Sequence, residues 1–222
     1  MEINAEFSER VLVHSDTLDW HGSPSAGVER RMLDRIGDEV ARATSIVRFA
    51  PGHSFSAHTH GGGEEYLVLE GVFQDESGDY PAGTYVRNPP QTRHRPESEG
   101  GCTIFVKLWQ FDPDDRNQFH KDMRADLIQT DEGVECAELH RDAREIVRYF
   151  RLAPDATLSL DEPGGMELLV LGGTLSEGGD TLRKGSWLRL PVDQPLQVQA
   201  RPGGAEFWIK TGHLRFVAAP EQ

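Results

Sequence analysis

The chain has 222 residues, enough for one large domain or two of about 100, and carries a formal net charge of -14. Its basic residues are scattered among acids, which excludes the clustered Lys and Arg that phosphate backbones need, so nucleic acid is not an expected partner. Apolar runs are only a few residues long, as at 168–171, which excludes a helical membrane span of about 20 apolar residues.

The 23 glycines and 13 prolines, set between short apolar runs, predict an all-β architecture with many turns. The opening MEINAEFSERVLVHSD has early acids and no apolar h-region, so a cytoplasmic chain without a signal peptide is expected. Residues 1–26 read as a turn-rich lead-in ending in GSPSAG. Strand-length pieces follow: GVERRMLDR, ATSIVRFAPG, FSAHTH, EEYLVLEGVF, GTYVRNP and CTIFVKLWQF. The charged stretch 111–127, broken by Pro113, reads as a linker. Cys102 and Cys136 lack the paired spacing of a zinc ribbon or redox motif and are expected as reduced thiols.

Beyond the linker the pattern recurs. GVECAELHR follows GVERRMLDR, and IVRYFRLAP follows TSIVRFAP. MELLVLGG lies over EEYLVLEG, and KGSWLRLP over AGTYVRNP, both at an offset of 102. EFWIK then matches TIFVK within a residue. Five segments in one order predict a duplicated β unit, with boundaries 1–112, a linker at 113–126, and 127–222.

Residues 52–71, GHSFSAHTHGGGEEYLVLEG, carry the chemistry. Alternate strand residues share a face, so His58 and His60 point the same way and suit one metal ion. The glycines at 61–63 allow a reversal that returns Glu64 or Glu65 beside them. His94 follows Gly83, Pro89 and Pro90, where a rigid turn aims it at the same point. Three imidazoles and a carboxylate suit Zn, Fe(II), Mn, Ni or Cu. Phe55, Tyr66, Tyr85, Phe105 and Trp109 are expected in the core, some walling the site. At the offset of 102, His58 becomes Leu160, His60 Glu162, Glu64 Met166 and His94 Leu196, so the second copy is expected to lack a metal site of this type.

These residues resemble the two motifs of the cupin superfamily. Gly52, His58, His60, Glu64 and Gly71 meet the first motif in full. Gly83, Pro89 and His94 meet the second, with Gln91 where a glycine is usual and Ser98 where an asparagine is usual. The resemblance implies two tandem cupin barrels of the jelly-roll, or double-stranded β-helix, kind. It also implies one mononuclear site of His58, His60, Glu64 and His94 in the first.

HTHGGGEEYLVLEG, YPAGTYVRNPPQTRH, WHGSPSAGVERRML and WIKTGHL are similar, more finely, to ChrR-like cupins, the zinc-binding domains of anti-sigma factors that respond to singlet oxygen. That likeness implies one divalent ion, zinc favoured, with Fe, Mn or Ni as the other choices, and an ECF sigma factor as partner. The helical N-terminal module by which such proteins hold the sigma factor has no counterpart in this lead-in, so a small-molecule ligand is the other expectation. Four protein ligands would close a tetrahedral zinc site, which suits a structural or sensory ion. A six-coordinate ion keeps positions open, which suits a non-haem Fe(II) dioxygenase acting on a small carbonyl or diketone. Exposed sheet edges allow a homodimer, although two fused units can satisfy the same need within one chain.

Overall fold

The computed structural model describes residues 1–220 of the 222. The regular structure is nearly all strand, and the chain folds into two compact units. The first takes residues 1–5, 18–122 and the segment from Ala218, and the second takes 6–17 and 123–217. Among the described residues no helix is long and apolar enough to cross a membrane.

In the first unit the antiparallel order is Glu2–Ile3, Val28–Gly37, Ala41–Phe49, Cys102–Leu108, Glu64–Asp75, Thr84–Asn88 and Phe119–Asp122. Short strands build the facing layer: His58–Thr59 with Arg93–His94, and His53–Ser54 with Glu97–Ser98. The long strand Glu64–Asp75 belongs to both layers, because its C-terminal half pairs with Gly78–Pro81. Its bend falls at Gly71, where φ is +73° and a Cβ would lie 2.1 Å from the Gly101 carbonyl oxygen. The core between the layers holds Val28, Phe49, Tyr66, Val68, Phe73, Ile104 and Val106.

The second unit has the same plan: Ile128–Asp131, Val134–Arg141, Ile146–Leu152, Leu196–Thr211, Met166–Glu177, Ser186–Leu190 and Val11–His14. Three of its strands, Met166–Glu177, Asp180–Arg183 and Ser186–Leu190, repeat the bounds of Glu64–Asp75, Gly78–Pro81 and Thr84–Asn88 at the offset of 102. Gly173 repeats Gly71, with φ +67° and the Gly204 carbonyl oxygen 2.1 Å from a built Cβ.

The edges differ from the sequence reading. The lead-in supplies Val11–His14 to the second unit's sheet, where Leu12 sits opposite Leu188. The expected linker supplies Phe119–Asp122 to the first unit, pairing with Thr84–Asn88. The boundaries 1–112, 113–126 and 127–222 are corrected accordingly. Each sheet takes its last strand from a connecting segment, and the two strands occupy corresponding places.

Both cysteines are free. Cys102 is buried in the first core, and burial pushes its thiol up to about 11, so it stays protonated near neutral pH.

Candidate metal centre

His58 and His94 are cross-strand partners in the two-residue ladder of His58–Thr59 and Arg93–His94. His60 lies one step further, where its amide donates to the Thr92 carbonyl and its carbonyl accepts from the Gln91 amide. Gln91 has φ +76°, so it adopts the left-handed conformation for which the usual glycine is suited. Ser98 ties the end of the layer to the long strand by donating to the Val72 carbonyl at 2.6 Å. The two departures from the motif thus leave the turn in place.

Gly61, Gly62 and Gly63 do more than reverse the chain. A Cβ on Gly62 would meet the Trp109 indole at 2.3 Å, one on Gly61 would meet it at 2.8 Å, and one on Gly63 would meet the Phe111 ring at 2.4 Å. The triple glycine is therefore the seat of two aromatic rings that follow the strand Cys102–Leu108, and it leads into Glu64.

One ligating atom from each of His58, His60, Glu64 and His94 falls within a cluster no wider than 4.8 Å. The three imidazole rings stand edge to face, with centroids 4.6 to 5.2 Å apart. Glu64 Oε1 lies 3.6 Å from His60 Nε2 and 3.4 Å from His94 Nε2. All three of those atoms are buried without a hydrogen-bond partner. Burying several polar atoms unsatisfied is costly unless something else binds them, and a cation at their centre would do so.

The opposite ring nitrogens set the tautomers. His58 Nδ1 lies 2.9 Å from the Ser56 carbonyl oxygen, which can only accept. His60 Nδ1 lies 2.9 Å from Thr92 Oγ1, whose own proton goes to the Pro89 carbonyl at 2.7 Å. His94 Nδ1 lies 3.2 Å from Asp75 Oδ2. Each Nδ1 therefore carries the proton, which leaves the Nε2 lone pair for a metal. A divalent ion fits this donor set.

The charges follow the same geometry. Burial, helped by His94 and His58, depresses the His60 pKa below its ordinary value. At His94 burial works the same way, but Asp75 and Glu64 outweigh it and raise the pKa. Asp75 is held low despite burial because His94, the Ser77 amide and the Tyr80 hydroxyl all stabilise its carboxylate. Burial, with Glu64 next, drives the Tyr66 phenol upward, so it remains protonated.

Glu65 points to the other face of the strand. It accepts from the Tyr85 hydroxyl at 2.6 Å and pairs with Arg87 at 3.5 Å, and all three residues are fully buried. Of the two adjacent glutamates, only Glu64 faces the imidazoles. Phe55 and Trp109 wall the site, while Tyr85 shares the Glu65 face.

Sequence reasoning missed Asp75 and Thr92. Asp75 lies beyond the closing glycine of the motif, and nothing in the local pattern marks it. Asp75→Asn is expected to weaken metal affinity by about 10- to 100-fold, because the amide can also donate and no longer fixes the His94 proton. A chelator-competition titration checks this, and an unchanged affinity would contradict it.

In the second unit three of the four corresponding positions are apolar and packed, and the fourth, Glu162, pairs with Arg148 at 2.5 Å. Leu160 and Leu196 are cross-strand partners, as His58 and His94 are in the first. Met166 and Leu196 are buried within its core, and Leu160 packs against it. His140, Asp142 and Glu145 do cluster elsewhere in this unit. There Asp142 accepts from the Arg144 and Glu145 amides, and Glu145 pairs with Lys210 at 2.8 Å, so the group is occupied as a turn.

His58, His60 and Glu64 also line a cavity of about 860 Å³ that opens between the layers of the first unit. Its walls are largely apolar, with Val28, Val47, Phe49, Ile104 and Val106 from the surrounding strands.

Residues 8–112 match the family model described as the ChrR cupin-like domain. No curated protein matches the chain. Among solved structures, a candidate dioxygenase from Nostoc punctiforme superposes with a TM-score of 0.73 at 16% identity, covering 97% of this chain and 87% of its own. A cupin 2 conserved barrel domain protein from Leptotrichia buccalis gives 0.62 at 13% identity, with 94% and 98% covered. A bacterial pirin from Escherichia coli, in complex with nickel(II), gives 0.67 at 14% identity, with 91% and 98% covered. At these identities the likeness is one of fold. With the family model over residues 8–112 and cupin-fold likeness along its length, the chain has the cupin fold, and its residues 8–112 are similar to the ChrR cupin-like domain.

Proposed function

We propose that the first unit holds one divalent metal ion on His58, His60, Glu64 and His94 and acts on a small organic molecule, as an oxygen-dependent enzyme of the dioxygenase class. The observation that carries this reading is the cavity: three of the four ligands line it, so a molecule occupying it lies against the site. A purely structural ion has no need of such access. For that reason Fe(II), with Mn or Ni next, displaces zinc as the favoured ion. When bound, such an ion supplies Lewis-acid polarisation and, for iron, electrons for oxygen chemistry.

The chain's own residues do the rest. Asp75, Thr92 and the Ser56 carbonyl hold the three imidazoles in one tautomer. Trp109 and Phe55 exclude water from the cavity side of the cluster. Tyr66, buried beside Glu64 with its hydroxyl unpartnered, keeps a proton available to the interior.

A second reading is favoured by the family match. Residues 8–112 match the ChrR cupin-like model, and by what that resemblance implies a zinc ion here would serve a regulatory protein with an ECF sigma factor as partner. Metal analysis of the purified protein, followed by oxygen uptake with Fe(II) and a panel of diketones, separates the two. Iron with turnover is the expected result. Tightly held zinc with no uptake would overturn the enzyme.

A further inference from the structure

The cavity beside the cluster contains two guanidinium groups that form no direct ion pair with a carboxylate among the described residues. Arg30 lies half-buried on the strand Val28–Gly37, opposite Val47, and lines the cavity. Its one side-chain partner among the described residues is the Ser23 hydroxyl, at 2.9 Å. Arg35, which also lines the cavity and is buried, donates to the backbone carbonyls of Gly37 and Asp38. The strand carries a bulge between Met32 and Asp34, which shifts the alternation so that Arg30 and Arg35 reach the same cavity.

Burial alone lowers the Arg30 pKa, and the Arg35 pKa falls through burial and then through Arg30, with the more distant Asp38 opposing them only in part. The two charges thus sit in one partly desolvated space and repel each other. The carboxylates around the cavity are engaged or distant in role: Glu64 belongs to the cluster, Asp38 takes the Met1 amino group at 2.5 Å, and Glu39 is exposed. A buried guanidinium without a counter-ion is unfavourable, and its fork of donors matches a carboxylate.

We propose that this cavity takes a small organic acid, its carboxylate held by Arg30 with Arg35 reinforcing the positive wall. Its apolar body lies against Val28, Val47, Ile104 and Val106, toward His58, His60 and Glu64. The inference deepens the metal-site reading by naming a substrate class, while binding of the acid is measurable without turnover.

Hexanoate and its uncharged isostere hexanamide, titrated calorimetrically into the full chain, test it. The metal-loaded wild type is expected to bind hexanoate about tenfold or more tightly than hexanamide, the effect of a hydrogen-bonded charge pair. Arg30→Met should abolish that preference and Arg30→Lys should retain part of it. The preference should also survive chelator treatment, which removes any direct contact between the acid and a metal ion. Hexanoate affinity should fall with rising sodium chloride while hexanamide affinity does not, a measurement on the wild type that needs no variant.

No preference in the wild type, a preference undiminished in a folded Arg30→Met protein, its disappearance on chelation, or a salt-independent hexanoate affinity would each overturn the proposal. Loss of oxygen uptake with the preference intact would count against the metal-site reading alone.

Discussion

His94→Ala is expected to strip the metal from the protein. His94 supplies a buried Nε2 that faces Glu64 Oε1 at 3.4 Å, and its backbone is fixed by the ladder opposite His58. Removing the ring leaves two imidazoles and one carboxylate, so the affinity should fall by more than the roughly 100-fold expected for losing an outer hydrogen-bond partner. Asp75 keeps the Ser77 amide and the Tyr80 hydroxyl, so the metal-free fold should survive. The wild type should gain about 2.7 kcal/mol of stability from an ion at 100 times its Kd, and the variant should gain almost none. Melting with and without added metal reads both quantities. A variant stabilised by metal as much as the wild type would remove His94 from the site.

Leu196→Ala, at the corresponding position of the second unit, should do the reverse. Leu196 is fully buried, sits opposite Leu160, and belongs to a core that includes Met166, Leu168 and Phe207. Truncating it leaves a cavity in close-packed surroundings and should cost about 2 to 5 kcal/mol. Metal content per folded chain should not change. Denaturant unfolding and metal analysis of the same preparation check the pair of statements, and a loss of metal comparable to that of His94→Ala would contradict them.

The contrast between these two positions explains why so much of the fold was legible. The strands that repeat at the offset of 102 are those whose side chains must alternate between a packed interior and a second buried face. Their pattern is therefore written in local sequence: Glu64, Tyr66 and Val68 face inward, and Met166, Leu168 and Val170 repeat them. The edge strands left no such mark. Val11–His14 is only half-buried throughout and Phe119–Asp122 is partly exposed, and each finds its partner far away in the chain. Strand pairing of that kind depends on the rest of the sheet already being present.

At the candidate site, the spacing of His58, His60, Glu64 and His94 was readable because it follows from strand alternation and a turn. The supports were not. Asp75 reaches His94 only after the long strand bends at Gly71 into the second layer. The need for Gly61 and Gly62 comes from Trp109, which is remote in sequence. Arg30 and Arg31 are adjacent and equally charged, so no pattern says that Arg30 lines the cavity while Arg31 stacks on Trp20 at 4.3 Å.

The central claim is a single metal centre in the first unit, built by His58, His60, Glu64 and His94. Metal stoichiometry of the purified 222-residue chain, measured beside His58→Ala and Leu160→Ala, tests it most directly. One divalent ion per chain in the wild type and in Leu160→Ala, with almost none in His58→Ala, is the result predicted. Equal metal content in all three proteins would contradict it.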